Sequence, residues 1–259
     1  MDFQEINFKR PIETVEYKDC SDYVIKHIES IIDDAIKTGQ NKIVINTNLR
    51  LGLPMENINK IAGPFVEAWA FEVFSIVMEN QDNKYQLIHV EAQERLSKAD
   101  VVLQFKKQRK VEMGITAEVD VKATSQDIQN SGKSPNITSY AVIRTAYVID
   151  PDLIFVVLSL KHKVYSTKNS ITGLMDGIME VVGYKAYDIK YLGKSDISYN
   201  PALGTGQIQI RDIHYVDTVY RSVWEFCQLL DKKYLASGKR NFEEWLVLAK
   251  KNKWIKTNE

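Results

Sequence analysis

The run Leu153-Ile154-Phe155-Val156-Val157-Leu158-Ser159-Leu160 limits the possible folds more than any other stretch of the chain. It is almost wholly β-branched, aliphatic or aromatic, with no polar alternation, so a strand made of it has apolar side chains on both faces. Such a strand belongs in the middle of a sheet with covering layers above and below. Upstream lie a polar loop from Gln126 to Pro135 and a helical pattern over about Thr138 to Val148, with Arg144 on it. A strand, then this helix, then the buried strand predicts a right-handed crossover in a partly parallel sheet. The fold class is therefore α/β, a mixed central sheet flanked by helices.

The strand expected before that crossover carries the chemistry. Ala117, Val119, Val121 and Ala123 alternate with Glu118, Asp120 and Lys122, which is the period of a strand with one apolar and one polar face. Asp120 and Lys122 leave the same side, so a hard oxygen ligand lies beside a fixed ammonium. That pairing suits metal-assisted chemistry on a phosphate, and it equally suits a half-exposed strand with ordinary surface charges. A second strand, about Ala99 to Phe105, precedes an expected turn at Lys106-Lys107-Gln108-Arg109-Lys110. If the two strands form a hairpin, Asp100 approaches Asp120 and Lys122.

Elsewhere the periodicities are mostly helical. Val24, Ile28, Ile31, Ile32, Ala35 and Ile36 predict a helix over about 21–37, capped at Ser21 or Asp22 and stopped at Gly39. A loop holding Asn46, Asn48, Gly52 and Pro54 leads to a helix starting near Pro64 and running to Phe74, buried on most sides. Its Glu67 stands either at the solvent edge or towards a metal site. A strand is expected at Gln86–Val90, and a short helix at Leu174–Glu180. Two terminal helices carry Val223 to Leu235 and Phe242 to Ala249, the second ending in a basic stretch that either contacts phosphates or stays solvated.

The segment from Ser195 to Gly206 is rich in turn formers, and Gln207-Ile208-Gln209-Ile210 then alternates as a strand. This reads either as a plain glycine loop entering an edge strand or as a backbone-close recognition loop. Asn and Gln are the side chains that pair with adenine edges, which favours looking for a nucleic acid there. No Gly-Lys-Ser/Thr follows the glycines, so it is not a phosphate-binding P-loop.

The 259 residues show no linker or repeat, so a single domain is expected over 1–259. Lys+Arg and Asp+Glu are both 34, and a nucleic-acid partner would need a local basic surface. Cys20 and Cys227 stand far apart and argue against a disulfide framework or zinc site. An acidic, polar N-terminus and the lack of a long apolar run point to a cytoplasmic protein, away from the membrane.

The pattern of Asp100 with Asp120-x-Lys122 resembles the PD-(D/E)xK nucleases, with Ala99 where many members have proline. Gly132-Lys133-Ser134-Pro135-Asn136-Ile137 and Tyr199-Asn200-Pro201-Ala202-Leu203-Gly204-Thr205-Gly206-Gln207-Ile208-Gln209 narrow this. So do Asn46-Thr47-Asn48-Leu49, Glu56 to Pro64, and Asn252 to Lys256. Together they resemble blunt-cutting type II restriction endonucleases over nearly the whole chain. The resemblance implies a restriction-endonuclease-like fold with a catalytic core at about 60–160 and DNA-recognition segments at about 125–140 and 195–215. It implies a homodimer that cuts double-stranded DNA at GTTAAC with Mg²⁺, alongside a cognate DNA methyltransferase. By the family pattern Asp100 and Asp120 hold the metal, and Lys122 acts on the attacking water and the phosphate. Lys133, Ser134, Asn136, Asn200, Ala202, Thr205, Gln207 and Gln209 match the DNA-contacting segments. Glu67 matches a helix glutamate that some relatives place beside the metal. Two other functions fit the same residues: a repair or recombination nuclease of the superfamily, and a sequence-specific DNA-binding protein without catalysis.

Overall fold

The computed structural model describes residues 6–94, 97–107 and 113–256. In chain order the elements are α1 (Tyr17–Lys37), β1 (Lys42–Asn46), α2 (Met55–Lys60), α3 (Ala62–Glu79), β2 (Leu87–Ala92), β3 (Val101–Lys107) and β4 (Met113–Ser125). There follow β5 (Asn136–Ser139), α4 (Tyr140–Ile149), β6 (Ile154–Lys168), β7 (Met175–Asp188), β8 (Ile197–Asn200), β9 (Gln207–Ile210), α5 (Val223–Leu235) and α6 (Phe242–Lys251). The chain divides into two compact units, one of Asp22–Lys133 with Val156–Tyr187, the other of Met1–Ser21, Ser134–Phe155 and Asp188–Glu259.

The first unit is built on a mixed sheet in the order β1-β7-β6-β4-β3-β2. The expected hairpin is present: β3 and β4 are antiparallel, with Val101 opposite Val119, Leu103 opposite Ala117 and Phe105 opposite Ile115. These residues line one face, all of them 4% exposed or less, and Phe105 meets the ring of Tyr23 on α1 edge-on. The stripe Val24, Ile28, Ile31 and Ile32 of α1 is fully buried, as its spacing requires. Val156, Val157, Leu158 and Leu160 of β6 are completely buried at the sheet centre, next to β4.

Several expectations need correction. The helix expected at Leu174–Glu180 is part of β7, with Gly177 paired to Ile45 of β1. Ile58 of α2 packs so close over Gly177 that a Cβ there would lie 2.9 Å from its Cδ1, so glycine serves close packing in a strand. The loop expected at Asn46 is preceded by a strand, β1. Lys106 and Lys107, placed in a turn, continue β3, whereas Gln108, Arg109 and Lys110 lie outside the described residues. The first helix begins at Tyr17, so Ser21 is no cap; its hydroxyl is buried and donates to Asp188 Oδ2 at 2.7 Å.

The second unit holds the sheet β5-β9-β8, whose apolar face buries Ile197, Ile208 and Ile210 completely. The helix expected from Thr138 starts only at Tyr140, because Asn136–Ser139 pairs with β9. Behind this sheet Tyr140 stacks on Tyr234 at 4.7 Å and meets Tyr199 edge-on at 5.9 Å. Arg144 and Asp231, both fully buried, form an ion pair at 3.2 Å between α4 and α5. Both terminal helices start on capping boxes, Ser222 with Glu225 and Asn241 with Glu244, which reciprocally satisfy N-terminal donors.

Candidate active site and recognition sheet

Three of the predicted residues converge at one end of the β3–β4 hairpin. Asp100 directly precedes β3 and docks on β4 twice. Its N–H donates to Val119 O at 3.0 Å, and its Oδ2 accepts from the N–H of Val121 at 2.7 Å. Between those two positions stands Asp120, whose Oδ1 accepts from Lys122 Nζ at 2.7 Å. Two-residue spacing on a regular strand suffices to make this contact, so β4 itself builds the pair.

On the polar face of β4, Glu118 and Lys122 are half-buried, in keeping with the half-exposed reading, but Asp120 between them is closed off. Asp120 is 4% exposed. Its Oδ2 is buried with no hydrogen-bond partner among the described residues, and the same holds for Glu118 Oε2. Burial pushes the Asp120 carboxyl up to about 7; the ammonium of Lys122 opposes that shift, and the negative charges of Asp100 and Glu67 add to it. A buried carboxylate oxygen without a protein donor among the described residues suits a cation, which would offset the cost of burying its charge.

The half-buried Glu67 on α3 faces this cluster electrostatically. Its pKa is raised by burial first and by Asp100 second, and lowered by Lys122. Glu67 and Asp100 also share the wall of an open groove of about 530 Å³ that Ala68 and Phe71 help line. The groove gives access to Glu67 and Asp100. Sequence reasoning passed over Lys98, which pairs with Glu118 at 2.7 Å. A lysine two positions before the predicted aspartate was the available signal. Among the described residues no group of three or more His, Cys, Asp or Glu side chains is arranged as a complete metal site.

The two predicted recognition segments, more than fifty residues apart in sequence, contribute strands to one sheet. Asn136 lies opposite Gln209, which lies opposite Ser198; Ser139 lies opposite Gln207, which lies opposite Asn200. Cross-strand partners share a face, so Asn136, Asn200, Gln207 and Gln209 stand in two polar rows joined by Ser139 and Ser198. Neither serine was singled out from sequence, although the alternation of β8 (Ser198, Asn200) carried that signal. The register shifts between Asn136 and Thr138, a bulge that re-aims the side chains at the start of β5.

Internal bonds occupy part of this face. Gln209 Nε2 donates at 2.9 Å to both Ser134 O and Asn136 Oδ1, tying the two segments together. Thr205 Oγ1 and Ser139 Oγ are 2.9 Å apart. Asn200 Oδ1 accepts from the N–H of Ala202 at 3.0 Å and starts the β8–β9 turn, where Ala202 is exposed. Ser134 takes a left-handed φ of 51° and its N–H donates to Arg211 O. Lys133 is exposed and ends a segment of the other compact unit.

The family model described as type II restriction endonuclease HpaI matches residues 4–253. The chain belongs to the HpaI family of type II restriction endonucleases. The type II restriction enzyme HpaI of Haemophilus parainfluenzae is 59% identical to it over 256 residues, which cover 99% of this chain and 100% of that protein. No helix among the described residues is long and apolar enough to cross a membrane.

Proposed function

We propose that this restriction endonuclease cuts both strands of duplex DNA at the palindrome GTTAAC, leaving blunt ends, through PD-(D/E)xK chemistry with Mg²⁺. What carries the proposal is the unpartnered buried Oδ2 of Asp120 beside the Asp120–Lys122 pair, in a chain 59% identical to an HpaI enzyme. Asp100 and Asp120 would hold the ion, since Mg²⁺ is commonly bound by one or two carboxylates with water completing its shell. The chemistry it supplies when bound is neutralisation of charge on the phosphate and acidification of water.

The chain's own groups do the rest. Lys122, restrained by Asp120, presents its ammonium to the water oxygen and to the phosphate, favouring loss of the water's proton and offsetting the added negative charge. The water oxygen bonds to phosphorus as the bond to the deoxyribose oxygen breaks, and that oxygen leaves with a proton. Asn136, Asn200, Gln207 and Gln209 read base edges, with Ala202 and Thr205 at the turn and Lys133 and Ser134 approaching the backbone. A palindrome calls for a homodimer, because two-fold symmetry in the site requires it in the protein. A host must protect its own sites, so the partner enzyme is a DNA methyltransferase of the same specificity, and both act in the cytoplasm.

Incubating the protein with a plasmid of known sequence and Mg²⁺ tests this. Discrete fragments ending blunt within GTTAAC are expected. Non-discrete cutting would point to a repair-type nuclease, and a shifted but intact plasmid to a binding protein; either result overturns the proposal.

A further inference from the structure

Arg240 lies outside every segment assigned to DNA contact. Yet its guanidinium reaches into the β8–β9 turn. Nη2 donates to Pro201 O at 3.1 Å and to Gly204 O at 2.7 Å. Nε donates to the hydroxyl of Tyr199 at 3.1 Å, and that hydroxyl donates in turn to Thr205 O at 2.9 Å. Three carbonyls of the turn (Pro201, Gly204 and Thr205) are therefore tied to one planar cation, directly or through a single hydroxyl. The guanidinium itself sits 5.7 Å from the centroid of the Tyr234 ring. Its backbone is fixed as well, since Asn241, the next residue, caps α6.

Bonds from Ala202 to Asn200, from Gly206 to Leu203 and between Thr205 and Ser139 set part of the turn's shape, and the carbonyls of Pro201 and Gly204 are left to Arg240 to grip. Gly204 and Gly206 adopt left-handed φ values of 51° and 87°. The ring of Tyr199 lies so close to Gly206 that a Cβ there would come within 2.2 Å of it. Two glycines make the turn conformationally permissive. A multidentate fork that grips carbonyls on both sides removes that freedom.

We propose that Arg240 is a positioning residue for sequence recognition: it holds the turn so that Asn200, Ala202 and Thr205 meet the DNA in one fixed geometry. This rests on the reading of the β8–β9 hairpin as a base-reading element. Arginine is required because its donors are spread over a rigid planar fork that spans Tyr199, Pro201 and Gly204, whereas a lysine keeps the charge at a single nitrogen on a flexible stem. The role differs from a phosphate contact, which would serve every DNA sequence alike.

The test measures dissociation constants for a GTTAAC duplex and a scrambled duplex, in Ca²⁺, for Arg240→Lys, Tyr199→Phe and Asn200→Ala. Arg240→Lys should lower the cognate-to-scrambled ratio about tenfold, the size of one good base contact, with scrambled binding and salt slope unchanged. Tyr199→Phe keeps the ring and every charge and removes only the bridging hydroxyl, so it should lower the ratio roughly threefold. It covers the case in which the lysine variant folds poorly. Equal losses on both duplexes would make Arg240 a contact that serves every DNA sequence alike and overturn the proposal. If Asn200→Ala loses discrimination while Arg240→Lys and Tyr199→Phe retain it, the proposal fails and the hairpin still reads DNA. If none of the three loses discrimination, the reading of the hairpin fails and the proposal falls with it.

Discussion

Replacing Asp120 by asparagine should abolish cleavage and at the same time make the metal-free protein more stable. The side chain is 4% exposed, its Oδ2 has no donor among the described residues, and its carboxyl is pushed from 3.8 up to about 7. In the unfolded chain the same group ionises near its ordinary value. Between about pH 4 and 7 the folded state therefore holds a proton that the unfolded state has released, and stability falls as pH rises. Above pH 7 the whole cost is present. A shift of roughly three units at 1.36 kcal/mol each sets a ceiling of about 4 kcal/mol. Movement of Lys122 and entry of water reduce it, and a gain of about 2 kcal/mol for Asp120→Asn at pH 8 is expected. The amide oxygen still accepts from Lys122, so that ammonium is not orphaned. Urea melts in EDTA at pH 8 and pH 5 read the effect. The variant should lead at pH 8 and keep roughly a third of that lead at pH 5, because the unfolded wild-type carboxyl is still ionised there and the lead vanishes only near pH 4. Adding Mg²⁺ should close the gap by stabilising only the wild type, since ligands that bind the native state raise its stability. A variant that is less stable by the same amount at both pH values would refute the burial argument.

Lys122→Met should cut turnover by roughly two to four orders of magnitude while GTTAAC binding in Ca²⁺ persists; single-turnover cleavage and a binding isotherm check this, and Glu118→Gln should lose less than about tenfold. Asp231→Ala strands the fully buried Arg144 and should cost about 3 to 5 kcal/mol in a urea melt, whereas Asp231→Leu with Arg144→Met should recover much of it. Burial holds His162 below its usual pKa despite nearby Asp127, so the unfolded chain takes up a proton near pH 6.5 before the folded one does. Stability that depends on His162 is thus lost as pH falls below about 6.5, and His162→Gln should flatten that part of the melt-versus-pH curve. The Cys227 thiol, pushed up to about 12 by burial, should resist thiol reagents until the protein unfolds, as measured by a timed thiol titration.

The candidate active site was legible in the sequence because its logic is local. Two residues on one strand share a face whatever surrounds them, so Asp120 and Lys122 had to meet if the strand formed. Asp100 needed only the hairpin that follows from two adjacent strands. The helices were legible by the same kind of argument, from apolar spacing that depends on neighbours one turn away. Where the wrong elements were expected, the deciding contact was remote. Met175–Asp188 is a strand because Gly177 lies beneath Ile58 and beside Ile45, neither of which its own sequence reveals. Asn136–Ser139 is a strand because β9, more than sixty residues away, offers it an edge. Tertiary structure alone decided that Asp120 would be buried with one oxygen lacking a donor among the described residues, since alternation fixes a side of the sheet and says nothing of what covers it. It also decided which groups Arg240 holds. That residue binds backbone carbonyls, which every residue carries, so no pattern of side chains in the sequence marks the partners it holds.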